Sequence, residues 1–375
     1  MRALSYIVLA FWLLALLRTI VNLILVPRLR PRMPRAFPRV SVIIPARDEE
    51  RMIGRTVRAL FAQTYRDLEI IAVDDRSSDA TGAILDQLAR DDARLTVIHN
   101  SEPPDGWLGK PWALHQGSLR ATGELLLFID ADVLYAADGV AAAVAEMEAR
   151  GVPMITLLPR FEMRGFWEHI AMPQLAIFAY TLMPLWLVNR TRITAFGLGG
   201  GAGNLVRRAD YDACGGHEAL RGAVVDDIGL GRLLRRNGRR TEIVLADTLV
   251  SVRMYHGLGE IVRGFTKNAF AVMGRSYAAA IAATVLGFVV HTVPYLAALT
   301  GDAVAIATVL LISLTRLVLF LALRYRTDNA IFGHPLMMAV WAYITVRSVW
   351  VTGIRHEIEW RGRRYDAQRT RFGAD

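Results

Sequence analysis

Glu124-Leu125-Leu126-Leu127-Phe128-Ile129-Asp130-Ala131-Asp132 decides the fold. A short continuous apolar run closed by acids reads as a strand buried on both faces, the kind that parallel sheets use. Three other segments follow the same pattern. Val40–Ile44 runs into Pro45-Ala46-Arg47-Asp48-Glu49, Leu68–Val73 into Asp74-Asp75, and Val224-Val225 into Asp226-Asp227, which opens an expected helix. Further strands are expected at Leu95–His99, Pro153–Leu158 and Arg240–Leu245. Between the early ones lie amphipathic segments, Glu50–Gln63, Ala80–Arg90, Trp112–Ala121 and Asp138–Arg150. This alternation predicts an α/β domain with a Rossmann-like parallel sheet and crossover helices. Ligands of such sheets bind outside the carboxyl ends of the strands, where three of the acidic segments fall. Carboxylates gathered on one edge repel one another unless a cation sits between them. The pattern therefore points to a divalent metal and a substrate rich in phosphate.

Composition sets the wider frame. The chain has 375 residues, 53% of them hydrophobic, and a net charge of +9. Its mean hydropathy of +0.30 is high for a wholly soluble protein. Much of the charge is arginine beside apolar stretches, which favours a membrane over a nucleic-acid partner. No zinc-finger spacing or basic helix with interleaved aromatics argues for nucleic acid. Cys214 is the single cysteine, so no intramolecular disulfide forms, and a reducing cytosol is expected around the globular part.

Leu4–Val26 is long enough to cross a bilayer and lacks a clear cleavage site, so it reads as an uncleaved anchor (residues 1–27), interrupted by Arg18 and Asn22. Arg28, Arg30, Arg32, Arg35 and Arg39 follow, marking that side as cytoplasmic, unless the segment is only a solvated linker. Phe166–Val188 is aromatic and apolar but broken by Pro173 and Pro184. It reads as an interfacial helix pair rather than a span, because a span would divide the acidic cluster between two compartments. Ala278–Leu299 and Ala303–Leu323 are expected spans, and Ala330–Ile354 is a weaker one with Arg347 inside it. The expected organisation is a globular domain over 38–270 containing the interfacial segment 166–188, membrane or interfacial helices over 275–356, and a basic tail at 357–375. The corresponding location is the inner membrane, multi-pass, with the globular domain in the cytoplasm. One N-terminal and three C-terminal spans would put the basic Trp360–Tyr365 outside, against the positive-inside rule.

Asp130 and Asp132, one residue apart, would point to the same side of an extended strand end. Two carboxylates with open positions suit Mg²⁺ or Mn²⁺, which take diphosphate oxygens as further ligands; a solvated turn is the alternative. Asp74 and Asp75 suit a nucleoside's N–H and hydroxyl donors, or cap the next helix. Lys110, on a glycine-punctuated loop entering a helix, is a phosphate ligand or a solvated lysine. Asp227 is the candidate general base with Asp226 orienting it, and both also fit an ordinary helix start.

Together these motifs resemble the membrane-anchored family-2 glycosyltransferases of GT-A fold. The matching pieces are Ser41–Glu50, Val73–Thr81, Gly109-Lys110-Pro111-Trp112-Ala113-Leu114, Asp130-Ala131-Asp132, Gly199-Gly200-Gly201 with Asn204, and Gly215-Gly216-His217 leading to Val225-Asp226-Asp227. The resemblance covers roughly residues 40 to 270 and is nearest to bacterial lipid-modifying members of hopene-associated, carotenoid and ceramide type. It implies an inverting transfer of one sugar from a nucleotide sugar, expected to be a UDP-sugar, to a lipid hydroxyl. It also implies that Pro45, Ala46, Arg47, Glu49, Asp74 and Asp75 hold the nucleoside, and that Lys110 contacts the diphosphate. Asp130 and Asp132 would carry the metal, and Asp227 would act as base. Three departures stand out. Asp48 replaces the family's usual Asn, and Asp226-Asp227 replaces Glu-Asp. The Gln-x-x-Arg-Trp signature of processive synthases is missing; Glu260–Gly264 is its possible remnant, with Arg263 toward diphosphate. That absence favours a single transfer over polymer synthesis. An inactive GT-A scaffold that binds a nucleotide sugar or lipid is the alternative, against which the intact Asp130, Asp132 and Asp227 argue; a transporter fits less well still, because the polar centre lies outside the spans.

Overall fold

A computed structural model describes residues 2–360 and 363–366. In chain order, helix α1 (Arg2–Leu25) precedes β1 (Val40–Ala46), α2 (Ile53–Phe61), β2 (Leu68–Asp74), α3 (Thr81–Asp91), β3 (Leu95–His99), α4 (Gly109–Arg120), β4 (Leu125–Phe128), β5 (Val133–Tyr135), α5 (Gly139–Arg150), β6 (Met154–Leu158) and β7 (Arg160–Phe161). Helices α6 (Phe166–Ala171), α7 (Pro173–Leu182) and α8 (Leu185–Val188) follow, then β8 (Asn204–Arg207), α9 (Arg208–Ala213), α10 (Asp226–Arg236), β9 (Thr241–Leu245) and β10 (Val250–Val252). The chain continues through α11 (Leu258–Val272), α12 (Tyr277–His291), α13 (Val293–Ala298), α14 (Ala303–Ala322) and α15 (Gly333–Ser348), extended by a π-helical turn, Val349–Ile354. An antiparallel pair, β11 (Glu357–Trp360) and β12 (Arg363–Asp366), comes last; the remainder of the expected basic tail lies outside the described residues.

The chain divides into two compact units. The first comprises Val26–Glu162 and Leu187–Met254 and holds a seven-stranded sheet of order β3-β2-β1-β4-β8-β6-β9. All neighbours are parallel except β8, which runs antiparallel to both β4 and β6. The apolar runs form strands because both faces are covered. Val42 and Ile44 point to one side, among residues of α2, α3 and α5, while Ile43 points to the other, among residues of α4, α9 and α10. Each such fully buried side chain contributes roughly 1.5–3 kcal/mol of transfer free energy. The expected parallel strands are present. The antiparallel insertion of β8 and a small second sheet, β5-β10-β7, were not legible beforehand.

The basic stretch after α1 is built into this unit. Leu29 is buried and donates its N–H to Leu245 O at 2.8 Å. Arg28 pairs with Asp247 at 3.0 Å and Arg32 with Glu146 at 2.9 Å. Part of the arginine run is therefore a strap on the domain surface rather than a free solvated linker.

The second unit gathers Met1–Leu25, Met163–Trp186 and Tyr255–Gln368. Helix α11 thus groups with the other helices, not with the sheet as the 38–270 boundary anticipated. Among the described residues, four helical segments are long and apolar enough to cross a membrane: Arg2–Leu25, Tyr277–Ala298, Ala303–Ala322 and Gly333–Ile354. Phe166–Val188 instead breaks into helices of 6, 10 and 4 residues, each too short to span. The polar residues interrupting α1 have a local purpose. Asn22 Nδ2 donates to Tyr180 O at 2.9 Å and Met183 O at 2.8 Å, and Arg18 Nη1 donates to Leu182 O at 2.7 Å. They satisfy the carbonyls that the end of α7 leaves without intrahelical partners. Arg316, fully buried on α14, is satisfied in the same way by Ala330 O at 2.8 Å and Asn329 O at 3.2 Å.

Candidate active site

Strand order reverses between β1 and β4, and the acids cluster at the carboxyl end of this switch point, as open α/β sheets dictate. Two groups of side chains form there.

The first lies on β1 and β2. Ala46 is in register with Asp74, and Asp75 N donates to Ala46 O at 2.8 Å, so the Pro45–Glu49 loop runs beside Asp74-Asp75. Arg47 Nη1 donates to Asp75 O at 2.8 Å and lies 3.7 Å from Asp75 Oδ2. Glu49 N donates to Thr81 Oγ1 at 2.8 Å. Asp48 has φ of 52°, a left-handed conformation that Asn and Asp both tolerate, which accounts for Asp standing where the family usually has Asn. Its carboxylate accepts from Ser78 N at 2.7 Å. The two acids of β2 separate in role. Asp74 accepts from Ser77 N at 3.0 Å and faces His99 Nδ1 at 3.1 Å, so its carboxylate braces the loop. Asp75 is buried between Arg47, at 3.7 Å, and Arg76, at 3.8 Å.

The second group is assembled by the glycine loop. β4 ends at Phe128, and Val133 N bonds to Asp130 O at 3.3 Å, so Asp130–Val133 closes a turn. The expectation that strand alternation aligns Asp130 with Asp132 is therefore corrected; the turn, not an extended strand, sets their directions. Asp130 N donates to Gly201 O at 2.7 Å. The loop 197–203 is wedged between this turn and the start of α10. A Cβ on Gly201 would sit 1.9 Å from Asp130 Oδ2, and one on Gly199 only 1.7 Å from Asp227 O. Buried Asn204 locks the wedge. Its Oδ1 accepts from Gly200 N at 3.2 Å and Thr156 Oγ1 at 2.9 Å, and its Nδ2 donates to Asp227 O at 3.4 Å.

Lys110 completes this group from the first turn of α4. Its Nζ lies 2.7 Å from Asp130 Oδ1 and 3.5 Å from Asp226 Oδ1, with the side chain 23% exposed. Local sequence left it open between phosphate ligand and solvated lysine; the structure sets its ammonium among the carboxylates of this cluster rather than in solvent. Burial pulls its ammonium down, but Asp130, Asp226 and Asp227 outweigh that and hold it well above its usual range. Burial pushes Asp226 up to about 6, with Lys110 opposing and Asp227 and Asp130 reinforcing. Asp227 is likewise raised, by burial first and by Asp130, against Lys110 and the N–H groups of Ile228 and Gly201. Ile228 N reaches Asp227 Oδ1 at 2.7 Å, so the amino end of α10 steadies the anion.

The donor set fits a hard divalent cation: Asp130 and Asp132 offer carboxylate oxygens in one turn, and Asp130 already holds a cationic group. Among the described residues no three His, Cys, Asp or Glu side chains gather as a metal cage, so the remaining ligands would be donor phosphates and water. Arg263 lies on α11 in the helical unit, exposed. Asn204 and the loop glycines belonged to the quoted resemblance but carried no expected role; their interlock with Asp130 and Asp227 supplies one.

Comparison with known proteins agrees with this architecture. Residues 41–203 match the family described as Glycosyl transferase family 2. The chain is similar to the 4,4'-diaponeurosporenoate glycosyltransferase of Staphylococcus aureus strain MRSA252, 26% identical over 345 residues, covering 87% of this chain and 88% of that protein. The protein of the same name in strain USA300 is 25% identical over the same shares. Among solved structures, the mannosyltransferase PcManGT from Pyrobaculum calidifontis, in complex with GDP-Man and Mn²⁺, superposes with a TM-score of 0.60 at 21% identity, covering 93% of this chain and 97% of that one. The chain carries a glycosyltransferase family 2 domain of GT-A fold, and it is a glycosyltransferase.

Proposed function

We propose that this chain transfers a single sugar from a nucleotide-sugar donor, a UDP-sugar by preference, to a membrane lipid in one inverting displacement. The observation that carries this reading is the convergence of Asp130, Lys110, Asp226 and Asp227 around one glycine wedge at the switch point of the sheet. The Pro45–Glu49 loop with Asp75 receives the nucleoside, and Arg47 orients Asp75. Asp74 supports that loop from beneath through Ser77. Lys110 neutralises the diphosphate. Asp130 and Asp132 would hold Mg²⁺ or Mn²⁺, which stabilises the leaving diphosphate when bound. Asp227, raised above the ordinary carboxylate range, takes the proton of the attacking hydroxyl, a role typically supplying 10²–10⁴-fold of rate. Asp226 stays beside Lys110 and sets the charge balance of the pair.

The lipid acceptor is supported by four apolar helices on the same chain and by relatives named for a carotenoid acid. Those helices would hold the protein in the inner membrane, with the catalytic unit cytoplasmic on the side of Arg28–Arg39. A name ending in -oate also favours a second reading, in which the acceptor is a carboxylate. Such an acceptor is already ionised and needs no base. Comparative lipid mass spectrometry of cells with and without the protein tests the proposal. A hexose-sized mass lost from one lipid class supports it and names sugar and aglycone together. An unchanged lipidome contradicts it and leaves a nucleotide-sugar or lipid-binding scaffold.

A further inference from the structure

We propose that Lys110 is a built-in counter-ion occupying Asp130 until the donor arrives, so that the divalent cation enters with the nucleotide diphosphate rather than before it. The inference rests on the metal reading given above and adds an order of binding to it. Asp130 has two oxygens, and one of them is paired with the ammonium. Oδ1 lies 2.7 Å from the Lys110 ammonium. Oδ2 lies beside Gly201, where a Cβ would come within 1.9 Å. A divalent ion that coordinates Asp130 must therefore sit beside the positive charge of the ammonium, which lies 2.7 Å from Oδ1. The ammonium's other carboxylate neighbour, Asp226 Oδ1, lies 3.5 Å away and is buried.

A nucleotide diphosphate relieves that repulsion. Its oxygens offer the ammonium new acceptors, its negative charge offsets the added dication, and it supplies ligands that the two carboxylates lack. Lysine suits the exchange, being a compact charge on a flexible stem with three donors and no fixed fork. In this account Lys110 keeps the acidic cluster compact without metal and couples metal binding to donor binding. Such coupling between two ligands typically changes affinity by about 5–150-fold, equally in both directions.

The test is equilibrium Mn²⁺ binding to the full chain in detergent, read from the electron paramagnetic resonance of the free ion, with and without saturating UDP or GDP. The wild type is expected to bind Mn²⁺ weakly alone and at least about tenfold more tightly with the nucleotide. Lys110→Met should bind Mn²⁺ about tenfold more tightly than the wild type without nucleotide and lose most of the nucleotide's enhancement. Lys110→Arg, which keeps the cation, should remain weak. Thermal unfolding checks that the variants are folded. If Lys110→Met does not fold, Lys110→Gln takes its place in the same comparison. A folded Lys110→Met with unchanged donor-free affinity, or a wild type that binds Mn²⁺ equally tightly with and without nucleotide, overturns the counter-ion role while leaving the metal site standing. A wild type that binds no Mn²⁺ under either condition, matched by Asp130→Asn, overturns the metal reading itself.

Discussion

Three consecutive glycines offer a test in which the middle one is its own control. A Cβ on Gly199 would sit 1.7 Å from Asp227 O, whereas ordinary contact begins near 3.4 Å. The difference, about 1.7 Å, must be absorbed by moving either the loop or the first turn of α10. That turn carries Asp227, and a misplacement on the order of 1 Å at a reacting centre costs about 10²-fold in rate. Gly199→Ala should therefore lower kcat by roughly 10²-fold or more. Overpacking of this kind also costs about 1–3 kcal/mol of stability, so a lower Tm is expected alongside. Gly201→Ala meets Asp130 Oδ2 at 1.9 Å and should weaken nucleotide binding as well as turnover, because it pushes the carboxylate off Lys110. Gly200→Ala meets only Thr156 Cγ2, at 3.7 Å, and should be close to neutral. Steady-state kinetics with donor and lipid acceptor, paired with thermal unfolding, reads all three. Equal losses across the three variants, or normal kcat in Gly199→Ala at normal stability, would refute the argument that the wedge positions the site.

Other consequences follow from the same geometry. Chelation should abolish transfer and added Mn²⁺ or Mg²⁺ restore it; full activity in excess chelator would remove Asp130 and Asp132 as metal ligands. His99 is held above its ordinary value by Asp86 and Asp74, so its stabilising contribution is full below about pH 6.5 and fades as pH rises through the folded value. His99→Gln should accordingly lower Tm at pH 5.5 and scarcely at pH 9, the loss of stability being less than about 1 kcal/mol because the imidazole is half exposed. An equal deficit at both pH values would contradict the ion pair. Phe178 and Leu182 are exposed on α7, so Phe178→Asp and Leu182→Asp should weaken use of a lipid acceptor while donor hydrolysis and Tm persist. Normal lipid transfer by stable variants would rule out that face as an acceptor contact.

The strands were legible because parallel strands covered on both faces must be continuous apolar runs, and each run ended where its acids began. Helix positions came within a few residues, as Ala80–Arg90 against Thr81–Asp91 illustrates. Less was visible where distant segments meet. Lys110 reads locally as a loop lysine, and nothing near it announces partners at positions 130 and 226. The glycine loop was plainly a loop, yet its function as a spacer depends on how closely two other elements approach it. β8 was not expected as a strand, since Asn204-Leu205-Val206-Arg207 offers only two consecutive apolar residues between polar ones. The Asp130–Asp132 spacing suggested strand alternation, but the strand ends two residues earlier. Arg18 and Asn22 looked like defects in a membrane anchor; they are the donors that close the end of α7.

The central claim is that Asp227 is the base of a sugar transfer, and Asp227→Asn tests it most directly. The amide keeps the shape and the backbone contacts of the side chain while removing its capacity to accept a proton. Titration of UDP by calorimetry and single-turnover transfer to the native lipid should be measured on the same preparation. The account predicts nucleotide affinity within a few-fold of the wild type and a rate lowered by about two to four orders of magnitude. Loss of UDP binding together with turnover, or an undiminished rate with a hydroxyl acceptor, would contradict it.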